Sequence, residues 1–162
     1  MSDPGRTPTE APRLPLPIPG NGFVVGRGES VFLGGGWHDR EVRAGDHVAC
    51  RAIGPRAEFR LRLRRADRSV KVLMTVPVSM IGTPWRGRLR MGDDVLAEWT
   101  VASEAWALRT APLPATSVDR EAVLVLESET WVVPARVLPG SLDTRPLAGW
   151  VGAVLAQPCA AP

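Results

Sequence analysis

The sequence predicts an all-β protein, a jelly-roll-like β-sandwich of about eight antiparallel strands. Three observations lead there. From Ala57 to Leu63, Ala57, Phe59, Leu61 and Leu63 alternate with Glu58, Arg60 and Arg62, and this period of two places apolar groups on one face and charges on the other. The 16 glycines and 16 prolines make up about a fifth of the 162 residues, which calls for many turns and short elements. Short strand-like runs then recur between turn residues, with no helical pattern longer than a turn or two.

Residues 1–21 form the first part of the chain and read as a Pro-rich tail. RLPLPIPG places proline at every second position, which forbids a regular ladder and favours an extended arm. Arg13 with Pro15 and Pro17 does not give the PxxP spacing of an SH3 ligand. A sandwich domain over 22–156 and a short tail over 157–162 complete the organisation. Phe23 to Val25 and Ser30 to Leu33 are strand candidates divided by GRG. GRGES matches neither phosphate-cradling glycine pattern. Ser69 to Val76 carries Val70, Val72, Met74 and Val76 on one face, and ADRS before it predicts a hairpin turn.

In WRGRLRM, Trp85 to Met91, the arginines at 86, 88 and 90 alternate with the other residues. MGDD turns into VLAEWTV, and WALRT follows, so a β-meander is expected. AVLVLESETWVV is apolar on both faces and reads as a central strand. Gly149 to Leu155 closes the domain.

Composition excludes several function classes. Cys50 and Cys159 lack CxxC spacing and read as free thiols. The first residues contain acids and prolines but no apolar h-region, so a soluble, cytoplasmic protein is expected. LAGWVGAVLA, Leu147 to Ala156, is half the roughly 20 residues of a spanning helix. His38 and His47 lie near Asp39 and Asp46, but their spacing matches no recognised ligand set. No metal site or cofactor is expected. A structural calcium on Asp39, Asp46 and carbonyl oxygens is the one alternative left open, and it has no further support. No nucleophile sits in a characteristic elbow, so the chain reads as non-catalytic.

The net charge of +3 is carried mostly by arginine. Arg60, Arg62 and Arg64 form one basic stripe, and Arg86, Arg88 and Arg90 another. A solvated face paired with Glu58, Glu98 and Glu127 is the simplest account. An acidic glycan, lipid headgroup or acidic protein is the alternative, and nucleic acid the weakest partner.

Three motifs carry a family resemblance. They are GWHDRE at Gly36 to Glu41, GDDVLAEWTV at Gly92 to Val101 followed by Trp106, and PGSLDTRPLAGWVGAVL at Pro139 to Leu155. Together they resemble the β-sandwich domain that accompanies bacterial glycosyltransferases and other proteins of surface-polysaccharide assembly. The resemblance implies a carbohydrate-binding-like accessory module, with a glycan or a glycosyltransferase as partner.

A glycan site needs an exposed aromatic platform flanked by groups that bond hydroxyls. Trp37 and Trp85, at expected loop edges, are candidate platforms. His38, Asp39, Glu41, Arg86, Asp143 and Arg145 are candidate polar contacts. For Asp143 and Arg145 the other reading is a salt bridge that pins the loop before the last strand. Trp99, Trp106, Trp131 and Trp150 read as strand residues with structural roles. An assembly protein making contacts through sheet edges, the proline arm or the arginine face is the competing class. An enzyme reading would rest only on His38, Asp39 and His47.

Overall fold

The computed structural model describes residues 21–43 and 45–158. The proline arm and Cys159 lie outside the described residues. Among the described residues ten strands form two antiparallel sheets packed face to face, the jelly-roll-like sandwich that the patterning predicts. They are β1 (Gly22–Val24), β2 (Trp37–Val42), β3 (Ala49–Ile53), β4 (Arg56–Leu63), β5 (Asp67–Thr75), β6 (Trp85–Met91), β7 (Asp94–Val101), β8 (Ala107–Pro112), β9 (Arg120–Ser128) and β10 (Gly149–Pro158). Two one-turn helices, α1 (Val78–Ile81) and α2 (Pro134–Val137), lie in connections. No helix among the described residues is long and apolar enough to cross a membrane.

The six-stranded sheet runs β2-β3-β10-β5-β8, with β1 beside the far part of β10; the four-stranded sheet runs β4-β9-β6-β7. The alternation in β4 and β5 is fulfilled, since Ala57, Phe59, Leu61, Leu63, Val70, Val72, Met74 and Val76 are all buried between the sheets. That burial is the main stabilising term, at roughly 25 cal/mol per Å² of apolar surface removed from water.

Two expectations are corrected. ADRS is not a hairpin turn: its last three residues already belong to β5, and the turn over 64–66 before them carries the chain from β4 in one sheet to β5 in the other. The expected meander is therefore one hairpin, β6–β7, turning at Gly92 with φ 61°, flanked by crossings between sheets. Ser30 to Leu33 is also not a strand. Glu29–Phe32 winds into a 3₁₀ turn that buries Glu29, and only Leu33 bridges β4, at Phe59. The turn forms because the Glu29 carboxylate reaches inward to Arg51 at 3.0 Å and to the Gly26 N–H at 3.0 Å, with left-handed glycines at 26 and 28 allowing the approach.

Candidate functional site

Strand β2 forms one edge of the six-stranded sheet and carries Trp37, His38, Asp39 and Glu41. Beside it runs the segment before β10, held by paired backbone hydrogen bonds between Val132 and Leu147 at 2.9 and 2.7 Å, and by the Ala135 N–H on the Asp143 carbonyl at 2.8 Å. Arg145 follows His38 by 107 positions in the sequence, and the fold brings them together.

The Arg145 guanidinium grips Asp143 in a fork, with Nε and Nη2 at 2.9 and 2.7 Å from the two carboxylate oxygens. It also approaches Glu41 Oε2 at 3.8 Å. Glu41 accepts the Trp150 indole N–H through its other oxygen, and the Arg43 guanidinium covers the Trp150 ring 4.4 Å from its centroid. His38 Nε2 lies 3.2 Å from the Pro146 carbonyl oxygen, so that nitrogen carries the hydrogen when the bond forms. The Arg145 hydrogen bonds hold the Asp143 carboxyl below its ordinary range, and the same pairing raises Arg145. Both groups stay charged across neutral pH. His38, Glu41, Asp143 and Arg145 thus form one polar cluster, with the Asp39 charge acting on Arg145 as well.

The two tryptophan platforms are corrected. Trp85 is 0% exposed. The strand begins at this residue, so its side chain shares the inward face with Leu89 and cannot stack on a ligand in solvent. Trp37 is only half-buried, but its indole N–H donates to the Glu58 carbonyl at 2.7 Å and its ring packs edge-on against Phe23 and Phe59. It ties the two sheets together. Arg86 lies on the other sheet, away from the cluster.

Trp131 is the aromatic residue that sequence reasoning assigned to structure and that the fold exposes, at 46%. Strand β9 ends at Ser128, so Trp131 falls in the connection to α2. The polar run Ser128-Glu129-Thr130 was the available signal for that end. Val132 pairs with Leu147, so Trp131 lies on the segment that runs antiparallel to the one carrying Asp143 and Arg145. Val137, Leu138 and Leu142, the last at 93% exposed, lie further along it.

Asp46 accepts from the Val48 N–H at 3.1 Å and the Trp106 indole at 2.6 Å, and among the described residues no three His, Cys, Asp or Glu side chains converge to hold an ion. Cys50 is fully buried, and burial pushes its thiol up to about 11, which leaves it unreactive at neutral pH.

The arginine stripes on β4 and β6 are separated by β9, whose carboxylates stand between them. Glu127 collects Arg56 at 2.8 Å, Arg88 at 2.7 Å and Arg90 at 3.5 Å, while Glu121 lies 3.7 Å from Arg60. This is the paired, solvated face, with Glu127 as its hub. Glu58 and Glu98 form no ion pair among the described residues. Arg64 departs from the stripe: it follows the end of β4, and its Nη2 is buried without a partner.

The Arg88 hydrogen bond, ahead of burial and the other arginine charges, holds the Glu127 carboxyl below its ordinary value of 4.5. A lowered folded value stabilises the fold above 4.5, and that contribution fades as pH falls toward the folded value. Glu127→Gln is therefore expected to lose about 1 kcal/mol at pH 7, since its partners are largely solvated. In urea unfolding the gap from the parent should narrow at pH 3.5, and a gap independent of pH would contradict the hub.

No family model matches the chain, and no curated protein is similar to it in sequence. Solved structures share the sandwich architecture at low identity. A family 6 carbohydrate-binding module from Clostridium stercorarium, solved in complex with cellobiose, is 12% identical over 77% of this chain and 84% of that one, with a TM-score of 0.44. The plant receptor-like kinase ANX2 is 13% identical over 82% of this chain and 37% of its own, at 0.48. A family 35 carbohydrate-binding module from an environmental isolate is 13% identical over 86% and 88%, at 0.41. Likenesses of this size carry no argument about ligand or activity.

Proposed function

We propose that this chain is a non-catalytic, carbohydrate-binding-like module that works beside glycosyltransferase or surface-glycan assembly machinery in the cytoplasm. The observation that carries the reading is the exposed Trp131 on a segment hydrogen-bonded alongside the Asp143–Arg145 fork. An indole face suits the apolar C–H face of a sugar, and a guanidinium and carboxylates fixed by their own pairing bond hydroxyls with little ordering cost. The groups of the cluster are locked in static pairs, which suits binding better than proton transfer. The glycosyltransferase partner rests on the three sequence motifs alone.

The test is a fluorescence titration with neutral and acidic oligosaccharides at low and high salt. A saturable response is expected, weakened about tenfold or more in Trp131→Ala, as for loss of one stacking aromatic. Trp37→Leu is the control, because that ring serves the core. No response to any sugar, or an unchanged response in Trp131→Ala, defeats the reading.

A second reading, an assembly module making protein contacts, is favoured by Val137, Leu138 and Leu142 exposed around α2. A Leu142→Ser variant that loses a partner retained by Trp131→Ala would select it.

A further inference from the structure

The outer face of the four-stranded sheet holds a groove of about 180 Å³, which Trp131 does not line. Four side chains wall it in two cross-strand pairs. Arg86 faces Thr100 and Arg88 faces Glu98 across the β6–β7 ladder, and Glu129 closes one end. Gly87 contributes backbone to the floor, and its inward side is filled by the Trp85 ring, which an added Cβ would meet at 2.3 Å. The result is an open groove, smaller than the roughly 300–1,000 Å³ of sites for drug-sized ligands.

Its polar groups are only partly used. Arg88 is committed to Glu127 at 2.7 Å. The Arg86 guanidinium has a single loose ion pair, to Glu129 at 3.7 Å, and makes no hydrogen bond among the described residues. The Glu98 carboxylate and the Thr100 hydroxyl likewise have no hydrogen-bond partner among the described residues. Two arginines and two glutamates line the well, so its charge sums to zero and neither a simple anion nor a simple cation is favoured. The open donors of Arg86 and the open acceptor of Glu98 stand on diagonal neighbours of one ladder, roughly 7–8 Å apart at the backbone, a span that long side chains bridge.

We propose that this groove binds a small dipolar ligand, bearing one carboxylate and one ammonium group in the manner of a free α-amino acid. Arg86 takes the carboxylate, Glu98 takes the ammonium and Thr100 adds a hydroxyl between them. Each contact replaces water at an exposed group, so affinity is weak and depends on both ends at once.

The test is a ¹H–¹⁵N NMR titration of the full chain with L-serine, against acetate, methylammonium and glucose at equal concentration. Saturable shifts confined to the amides of residues 86–88 and 98–100 are expected with serine, and Arg86→Gln and Glu98→Gln should each weaken binding about fivefold. Both positions are exposed, so both variants keep the fold. Equal shifts with acetate, shifts with glucose instead, or serine binding unchanged in either variant overturns the assignment. Trp131→Ala leaves the groove intact, so this outcome is independent of the carbohydrate reading.

Discussion

Gly36→Ala is expected to unfold the domain or to cost more than about 3 kcal/mol, while Gly35→Ala is nearly neutral. Gly36 sits at φ 87°, a left-handed conformation that an L side chain adopts only with strain. The space is closed as well. An added Cβ would stand 1.7 Å from the Arg56 carbonyl oxygen and 2.9 Å from the Ala57 Cα, and these are backbone atoms of β4 that cannot rotate away. The Gly36 carbonyl accepts the Gly54 N–H at 2.8 Å, so relieving the clash would also break the clamp between the start of β2 and the β3–β4 turn. At Gly35 an added Cβ meets nothing within 4 Å and the backbone is not left-handed. Thermal unfolding followed by far-UV circular dichroism separates the two. Equal melting temperatures for both variants would show that the approach of Gly36 to Arg56 is not maintained. The Gly36-Trp37 pair is, on this account, a folding device: the glycine permits close passage and the tryptophan pins the sheets.

What the sequence made legible is what period-two patterning controls. In β4 each residue's face follows from its position in the strand and the buried set agrees residue by residue; in β5 Val70, Val72 and Met74 follow the same rule, but Leu73 and Thr75 on the other face are buried as well, Leu73 against Cys50, Trp106 and Ala153. The same rule applied to Trp85 would have placed it inward, because Trp85, Gly87 and Leu89 alternate with Arg86, Arg88 and Arg90; the neighbouring Pro84 suggested a loop edge instead. Sheet membership was not legible. ADRS bends the chain equally well into a hairpin or across to the other sheet, and the choice is made by long-range pairing of β5 with β8 and β10. The polar cluster was legible as a list of residue types but not as a place, since β2 and the 143–147 segment meet only through the fold. Glu121 and Glu127 between the arginine stripes follow the same logic: strand order β4-β9-β6, invisible locally, inserts the carboxylates that let two basic stripes share a face.

The second large effect is expected at Arg51. Glu29 is 2% exposed, and a carboxylate so placed survives only through its partners. Burial pushes its carboxyl up, yet hydrogen bonds from its own N–H, from Arg51 and from the Gly26 N–H, with the Arg51 charge, outweigh this and leave it below the ordinary 4.5. In the parent the pair therefore contributes stability above 4.5 that fades as pH falls through the folded value. Arg51→Ala removes the counter-charge and leaves burial dominant, which reverses the sign. The variant should be destabilised by about 3 kcal/mol at pH 7 and should recover relative to the parent at pH 4, where the stranded carboxyl takes up a proton. The double variant Glu29→Gln with Arg51→Met, which removes both charges, should regain much of the loss. Urea unfolding at the two pH values tests both statements; a pH-independent loss, or a double variant no better than Arg51→Ala, would leave the ion pair without its assigned weight. Arg51 also donates through Nη1 to the His38 carbonyl at 3.0 Å, so the same guanidinium that neutralises Glu29 fixes the path of β2. Loss of Arg51 should therefore weaken any ligand held by His38 and Glu41 even at pH 4, where the fold itself recovers, because protonating Glu29 restores its own burial but not the tether on β2.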